Sequence, residues 1–337
     1  MPPERQVSIA LQTDKRAADY IALARLIDTF DFDAVTVYCD APFQPSYGPL
    51  LLMAPHLSRA RLGPAAVAPA RIHPIDIAAQ AALLETLAPG RTYIGLARGA
   101  WLEDCGIHEA AKPVQAIREA AEVVRYLLSG ASGGYTGDIY PLAAHIRAPY
   151  PLPESLPPLL IGSWGKRLCA LAGEIADEVK VGGSTNPDLA PVIAGYIAAG
   201  AQVAGRAPGS VGLVFGAVTV VDDDRAAARL AARHAVALYL PVVAPLDPTV
   251  SVEPELVERL RAASNAGDLD GAAALISDDL LDRFAFSGSA ADLIRQAEGL
   301  FAAGVRRVEF GTPHGLVSER GIRILGDDVL PALSIYP

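Results

Sequence analysis

Cysteine, methionine and tryptophan are scarce in this chain of 337 residues, with 3 Cys, 2 Met and 2 Trp beside only 8 Phe. Cys39, Cys105 and Cys169 are odd in number and widely spaced, which fits neither a disulfide framework nor a zinc site, so they read as reduced thiols. The histidines are isolated from one another, and no metal centre is expected. Long hydrophobic runs are also missing: the longest aliphatic stretch, residues 211–221, is too short to span a bilayer. Met1-Pro2-Pro3-Glu4-Arg5-Gln6 places no apolar segment behind a basic one, so the expectation is a soluble, cytoplasmic protein. Positive charge is in deficit, with 28 Lys and Arg against 38 Asp and Glu and a formal charge of -10. The basic residues are scattered, which argues against a nucleic-acid partner.

What is abundant is aliphatic mass. With 51% hydrophobic and 20% charged residues, the chain has the makings of a large core and is not a disordered protein. Short aliphatic runs at 7–11, 34–38, 62–67, 92–96, 159–162, 178–181, 211–221 and 305–310 read as eight strands. Stretches of helical spacing separate them, at 15–29, 47–56, 74–87, 113–129, 166–175, 188–204, 225–238 and 290–303, with a last helix at 321–330. Segment 133–157 is an irregular excursion rich in Gly and Pro, and 241–287 reads as an insertion of short helices. Strands alternating with helices make a parallel sheet, and eight of them in this length point to a (β/α)8 TIM barrel forming a single domain over 1–337. No Gly-x-Gly-x-x-Gly follows the first strand, which counts against an open dinucleotide-binding sheet.

In such a barrel the chemistry sits where the strands end at their C-terminal side. Asp40 follows strand two, His73 follows strand three, Arg98 and Trp101 follow strand four, Trp164, Lys166 and Arg167 follow strand five, and His314 follows strand eight. The run Val181-Gly182-Gly183-Ser184-Thr185-Asn186-Pro187-Asp188 leads from a strand into a helix through two glycines and two hydroxyls. It suits a phosphate held by main-chain N–H groups at a helix start, or an ordinary capped loop. His73 and His314 suit a proton donor or a structural hydrogen bond, and the two tryptophans suit stacking on a planar ring or covering the mouth. Glu103 and Asp104 read as a solvated helix start.

Several segments in order carry a resemblance. They are Leu62-Gly63-Pro64-Ala65-Ala66-Val67-Ala68-Pro69 before His73-Pro74, Leu87-Ala88-Pro89-Gly90-Arg91 leading into Ile94-Gly95-Leu96, Leu171-Ala172-Gly173-Glu174-Ile175-Ala176-Asp177, and Gly311-Thr312-Pro313-His314-Gly315. With these the chain resembles the bacterial-luciferase-like superfamily, and within it the coenzyme F420-dependent methylenetetrahydromethanopterin reductases. The resemblance implies a usually dimeric barrel that binds a 5-deazaflavin at its mouth. It implies phosphate binding at Gly182, Gly183 and Ser184, with Thr185 close by, and a non-proline cis peptide at Ala65-Ala66 supporting the ring. Arg98, Trp164 and Lys166 would join the coenzyme site, and Asp40, His73 and His314 are the candidate catalytic groups.

The implied reaction is hydride transfer to a C=N or activated C=C of a small substrate, the protein supplying orientation and a proton. Departures from the family pattern point away from methanopterin itself. Ala10 stands where those reductases carry a carboxylate, and Ala41-Pro42 follows Asp40 where they favour His. Ala100 follows Gly99 where sugar-phosphate-oxidising relatives place Glu. Two rivals remain at this stage, an FMN-dependent monooxygenase of the same superfamily and a non-catalytic barrel that binds a flavin-like ligand. A negative coenzyme on an acidic chain calls for local positive potential, expected from Arg98, Lys166, Arg167 and Lys180 near the mouth.

Overall fold

Residue type alternates along the strands, and the alternation explains why the sheet closes into a tube. In β1 (Gln6–Leu11), Val7, Ile9 and Leu11 enter the hydrophobic core beneath the helices, while Ser8 turns the other way. Ser8 Oγ lies 3.4 Å from Glu309 Oε2, inside the tube. The computed structural model describes residues 5–333. Beyond β1, the strands are β2 (Ala34–Val37), β3 (Arg61–Pro64), β4 (Ile94–Ala97), β5 (Leu159–Gly162), β6 (Glu178–Gly182), β7 (Gly212–Val221), β8 (Ala285–Gly288) and β9 (Arg307–Gly315). All paired strands are parallel, in the order β3-β2-β1-β9-β7-β6-β5-β4. Single bridges Leu62–Thr92 and Val67–Leu96 join β3 to β4 across the seam. The fold is the (β/α)8 barrel read from the sequence.

Helices α1 (Ala17–Ile27), α2 (Tyr47–Met53), α3 (Pro74–Leu87), α4 (Pro113–Leu128), α5 (Lys166–Ile175), α6 (Leu189–Val203) and α7 (Arg225–Val236) pack outside the early strands. Pro at the first turn starts α3 and α4, because Pro fixes a helical φ where no N–H is needed. Helices α5 and α6 approach so closely that a Cβ on Gly200 would lie 1.7 Å from the Ala170 carbonyl oxygen. The insertion carries α8 (Leu240–Val243), α9 (Pro254–Asn265), α10 (Leu269–Ala274) and α11 (Asp278–Phe284), after which come α12 (Ala290–Ala302), α13 (Ser318–Ile324) and α14 (Leu330–Leu333). It has its own core, with Val220, Val236, Leu240, Leu260, Leu281 and Phe284.

Two expectations are corrected. The insertion is not purely helical: β8 ends it and pairs with Val218–Val221 of β7, extending that strand's edge after β6 leaves at Gly216. The last barrel strand runs on through Gly311-Thr312-Pro313-His314-Gly315, read from the sequence as a loop, with Val220 and Val221 of β7 opposite His314 and Gly315. Glycine there allows it: a Cβ on Gly311 would lie 2.4 Å from the Tyr38 hydroxyl. Segment 133–157 is irregular apart from a bridge between Tyr135 and Leu142. Among the described residues no helix is long and apolar enough to cross a membrane.

Candidate active site

The floor of the mouth is built from very small side chains. Peptide Ala65-Ala66 at the end of β3 is cis, with Ala65 N donating to Val37 O and Val67 N to Gly95 O, both at 2.9 Å. Beside it, a Cβ on Gly162 would lie 3.2 Å from Ala97 Cβ and 3.7 Å from Ala66 Cβ. Ala65, Ala66, Ala97 and Gly162 are all part-exposed, so β3, β4 and β5 present a shelf of methyl groups and backbone. Trp164 borders it, its indole Nε1 donating to Gly182 O at 3.0 Å. Gly182 is exposed and has open space where a Cβ would sit.

The polar side of the mouth is held by one glutamine. Gln12 Oε1 accepts from Thr13 N at 2.8 Å, which turns the amide so that Nε2 donates to Asp40 Oδ2 at 3.1 Å and to the Tyr239 hydroxyl at 3.4 Å. Burial raises the Asp40 carboxyl above its ordinary value; the Gln12 hydrogen bond, Lys180 and Arg71 pull the other way. Burial likewise pushes the Tyr239 phenol up to about 12. Tyr239 meets Trp101 edge to face at 5.4 Å between ring centroids, and Trp101 adopts a left-handed φ of 54°, an uncommon conformation for a bulky residue that often marks a site.

The other expected residues make contacts of their own. His73 is exposed, its Nδ1 accepting from Ile75 N at 3.3 Å as the N-cap of α3, with its ring edge-to-face on Tyr140 at 5.3 Å. His314 is fully buried: Nε2 lies 3.0 Å from Ala10 O, Nδ1 lies 3.5 Å from Ser318 Oγ, and burial pushes the imidazole down to about 4. That makes it a neutral strut between β1 and β9, at φ 77°. Arg98 turns onto Glu109 of its own loop, Nε to Oε1 at 2.8 Å, while Lys166 and Arg167 are exposed at the start of α5. Lys180 is not at the rim but inside the barrel, paired with Glu309.

The glycine-rich turn is only partly as expected. Gly183 has φ 85°, and its N–H donates to Gly216 O at 2.6 Å. Ser184 and Thr185 are buried and face inward: Ser184 Oγ accepts from Asn186 N at 3.1 Å, and Thr185 donates its N–H to Arg283 O and its hydroxyl to Asp282 O. The insertion has captured the Thr185 hydroxyl and Ser184 braces its own turn, leaving Gly182 as the open position. Sequence reasoning missed Gln12 as the organiser and Tyr239 as a mouth residue. Tyr239 sits where a helix reading gives way to the insertion, and only the aromatic type at that junction signals it. Among the described residues, no three His, Cys, Asp or Glu group to hold a metal.

Comparison with known proteins adds an independent finding. A sequence model of the luciferase-like monooxygenase family matches residues 3–307. The 5,10-methylenetetrahydromethanopterin reductase of Archaeoglobus fulgidus is 31% identical over 297 residues, 85% of this chain and 87% of that one. An F420-dependent hydroxymycolic acid dehydrogenase of Mycobacterium tuberculosis is 32% identical over 165 residues, 48% of this chain and 45% of its own. Among solved structures, the coenzyme F420-dependent tetrahydromethanopterin reductase of Methanopyrus kandleri superposes with a TM-score of 0.89 at 26% identity, covering 98% of this chain and 99% of that one.

Proposed function

The chain belongs to the luciferase-like monooxygenase family, and we propose that within it this protein is a coenzyme F420-dependent reductase. Its substrate is a small molecule with a C=N or activated C=C, other than methylenetetrahydromethanopterin. The observation that carries the reading is the shelf of Ala65, Ala66, Ala97 and Gly162, which suits a planar tricyclic ring laid flat with no side chain in its way. Relatives named for coenzyme F420, one of them acting on a substrate other than methanopterin, support the choice of coenzyme. The family resemblance, in which Ala10 falls where the methanopterin reductases carry a carboxylate, supports the different substrate.

The shelf and the cis peptide at Ala65-Ala66 would bear the ring, Trp164 would wall its edge, and Gly182 with Gly183 would admit the phosphate end close to the main chain. Arg98, Lys166 and Arg167 are the basic groups nearest the rim by sequence position, while Ser184 and Thr185 shape the turn without facing outward. When bound, the reduced deazaflavin supplies a hydride. Asp40 supplies the proton: its raised proton affinity keeps it available as an acid, and Gln12 fixes its position. His73 and His314 position α3 and the β1–β9 junction.

A second copy of the chain is proposed to cover α2 and α3, where Leu52, Ile75, Leu83 and Leu87 are exposed. The same reading takes the chain as one barrel domain, with 133–157 and 241–287 as excursions from it. The testing experiment is single turnover of reduced coenzyme F420 with a panel of cyclic imines, in wild type and in Asp40→Asn. Wild type should oxidise the coenzyme. The variant should do so about 100-fold or more slowly, the lower range of what a positioned acid contributes. Unchanged coenzyme absorbance across the panel would make this a binding protein, and an equally fast variant would remove Asp40 from the chemistry.

A further inference from the structure

The barrel axis is filled with charge, unlike the apolar layers usual in this architecture. From the bottom upward, Arg61 Nη2 donates to Glu178 Oε1 at 3.1 Å, and Arg307 Nη2 donates to Glu178 Oε2 at 2.6 Å. Arg307 Nη1 lies 3.8 Å from Glu309 Oε2. That same Oε2 accepts from Thr36 Oγ1 at 2.6 Å, and Glu309 Oε1 pairs with the Lys180 ammonium. Glycine makes the room: a Cβ on Gly216 would lie 2.9 Å from Glu309 Cβ. Glu178, Lys180, Arg307 and Glu309 are all buried.

The column holds three cations, Arg61, Lys180 and Arg307, and two carboxylates, Glu178 and Glu309. The surplus cation, Arg61, is part-exposed at the bottom of the column, while Lys180 and Glu309 form a buried pair whose members would each be costly to leave alone. The Lys180 ammonium lies 4.7 Å from the centroid of the Tyr38 ring, and Asp40 follows Tyr38 by two residues in the loop beyond β2. We propose that the Lys180–Glu309 pair is a positioning pair that sets the field in which Asp40 holds its proton, although neither residue reaches the substrate. The proposal rests on the reading of Asp40 as the proton source.

The groups facing Asp40 define what else bears on it. Lys180 comes from β6, Arg71 from the loop after β3, Tyr38 from the end of β2 and Tyr239 from the junction of α7 and α8, with Gln12 as the neutral donor from the end of β1. Arg71 Nη1 donates to the Asp40 carbonyl at 2.9 Å, and Glu309 stands behind Lys180. Asp14 faces Tyr239 rather than Asp40. Burial pulls the Lys180 ammonium down while Glu309 and Asp40 hold it up. The attraction between Lys180 and Asp40 is therefore mutual, and removing the cation leaves burial to act on Asp40 with less opposition.

The test is the titration of the Asp40 carboxyl in the full-length protein, followed by infrared difference spectroscopy and assigned by loss of the signal in Asp40→Asn. Lys180→Met with Glu309→Gln removes the pair as a neutral unit, which avoids stranding a buried charge, and Lys180→Arg keeps the charge. The double variant should move the midpoint up by about one pH unit, the low end of what a neighbouring charge does, a tenfold change in the ionised fraction at fixed pH. Lys180→Arg should restore the wild-type midpoint. A folded double variant with an unmoved midpoint overturns the inference. If the midpoint moves while Asp40→Asn turns over normally, the pair does set the field and the role of Asp40 as acid fails instead.

Discussion

Replacing Gly162 with leucine puts a side chain onto the shelf on which the coenzyme ring is proposed to lie. Its Cβ would already stand 3.2 Å from Ala97 Cβ and 3.7 Å from Ala66 Cβ, so the remaining carbons have nowhere to go but outward into the mouth. Overfilling a well-packed contact costs about 1–3 kcal/mol, which at 1.4 kcal/mol per tenfold is about a 5- to 150-fold rise in Kd. The penalty falls on binding because the position is part-exposed and open toward solvent. Alanine at the same place adds only one methyl, and its neighbours need to yield by a few tenths of an ångström, so binding should weaken far less. Fluorescence titration with oxidised coenzyme F420, paired with thermal unfolding of each variant, measures both effects. A leucine variant with wild-type Kd and wild-type melting would show that the ring does not lie on this shelf.

Three further outcomes follow from the geometry. Burial holds His314 near 4 against an ordinary 6.5; the stability this contributes is complete above pH 6.5 and is lost as pH falls toward 4. His314→Gln should flatten the acid limb of a urea-denaturation pH series across that window, and an unchanged slope would contradict the assignment of a neutral ring. Gly200→Ala drives a methyl into the Ala170 carbonyl and should cost about 3 kcal/mol or more by equilibrium unfolding; a loss below about 1 kcal/mol would mean that α5 and α6 separate easily. Leu83→Glu with Leu87→Glu should yield a monomer by light scattering while the unaltered chain is a dimer, and identical masses would place the interface elsewhere.

The barrel was legible because its outward-facing residues are strongly apolar. Val7, Ile9 and Leu11, or Val179 and Val181, mark strands whatever lies on the other face. The inner face was harder to read, since Ser8, Glu178, Lys180 and Glu309 look like surface residues until the tube closes and brings β2, β6 and β9 together across its axis. Alternations such as Glu178-Val179-Lys180-Val181 and Arg307-Val308-Glu309-Phe310 were the available signal, and they show a polar interior once the strands are known to be parallel. The cis peptide at Ala65-Ala66 was anticipated only through family resemblance. A place near the end of a strand says nothing of the depth of Lys180 in the tube, and the inward turn of Thr185 is hidden because Asp282, whose carbonyl it meets, lies about 100 residues away. Tyr239 could not be placed before the insertion's path was known.

The central claim is that the mouth is a deazaflavin site serving reduction. Parallel binding isotherms of the intact protein with coenzyme F420 and with FMN test it most directly. Saturable F420 binding that is weakened by leucine at Gly162, beside weak or absent FMN binding, is the predicted result. Tight FMN binding with none of F420 would contradict it and place the protein among the flavin-dependent members of the family.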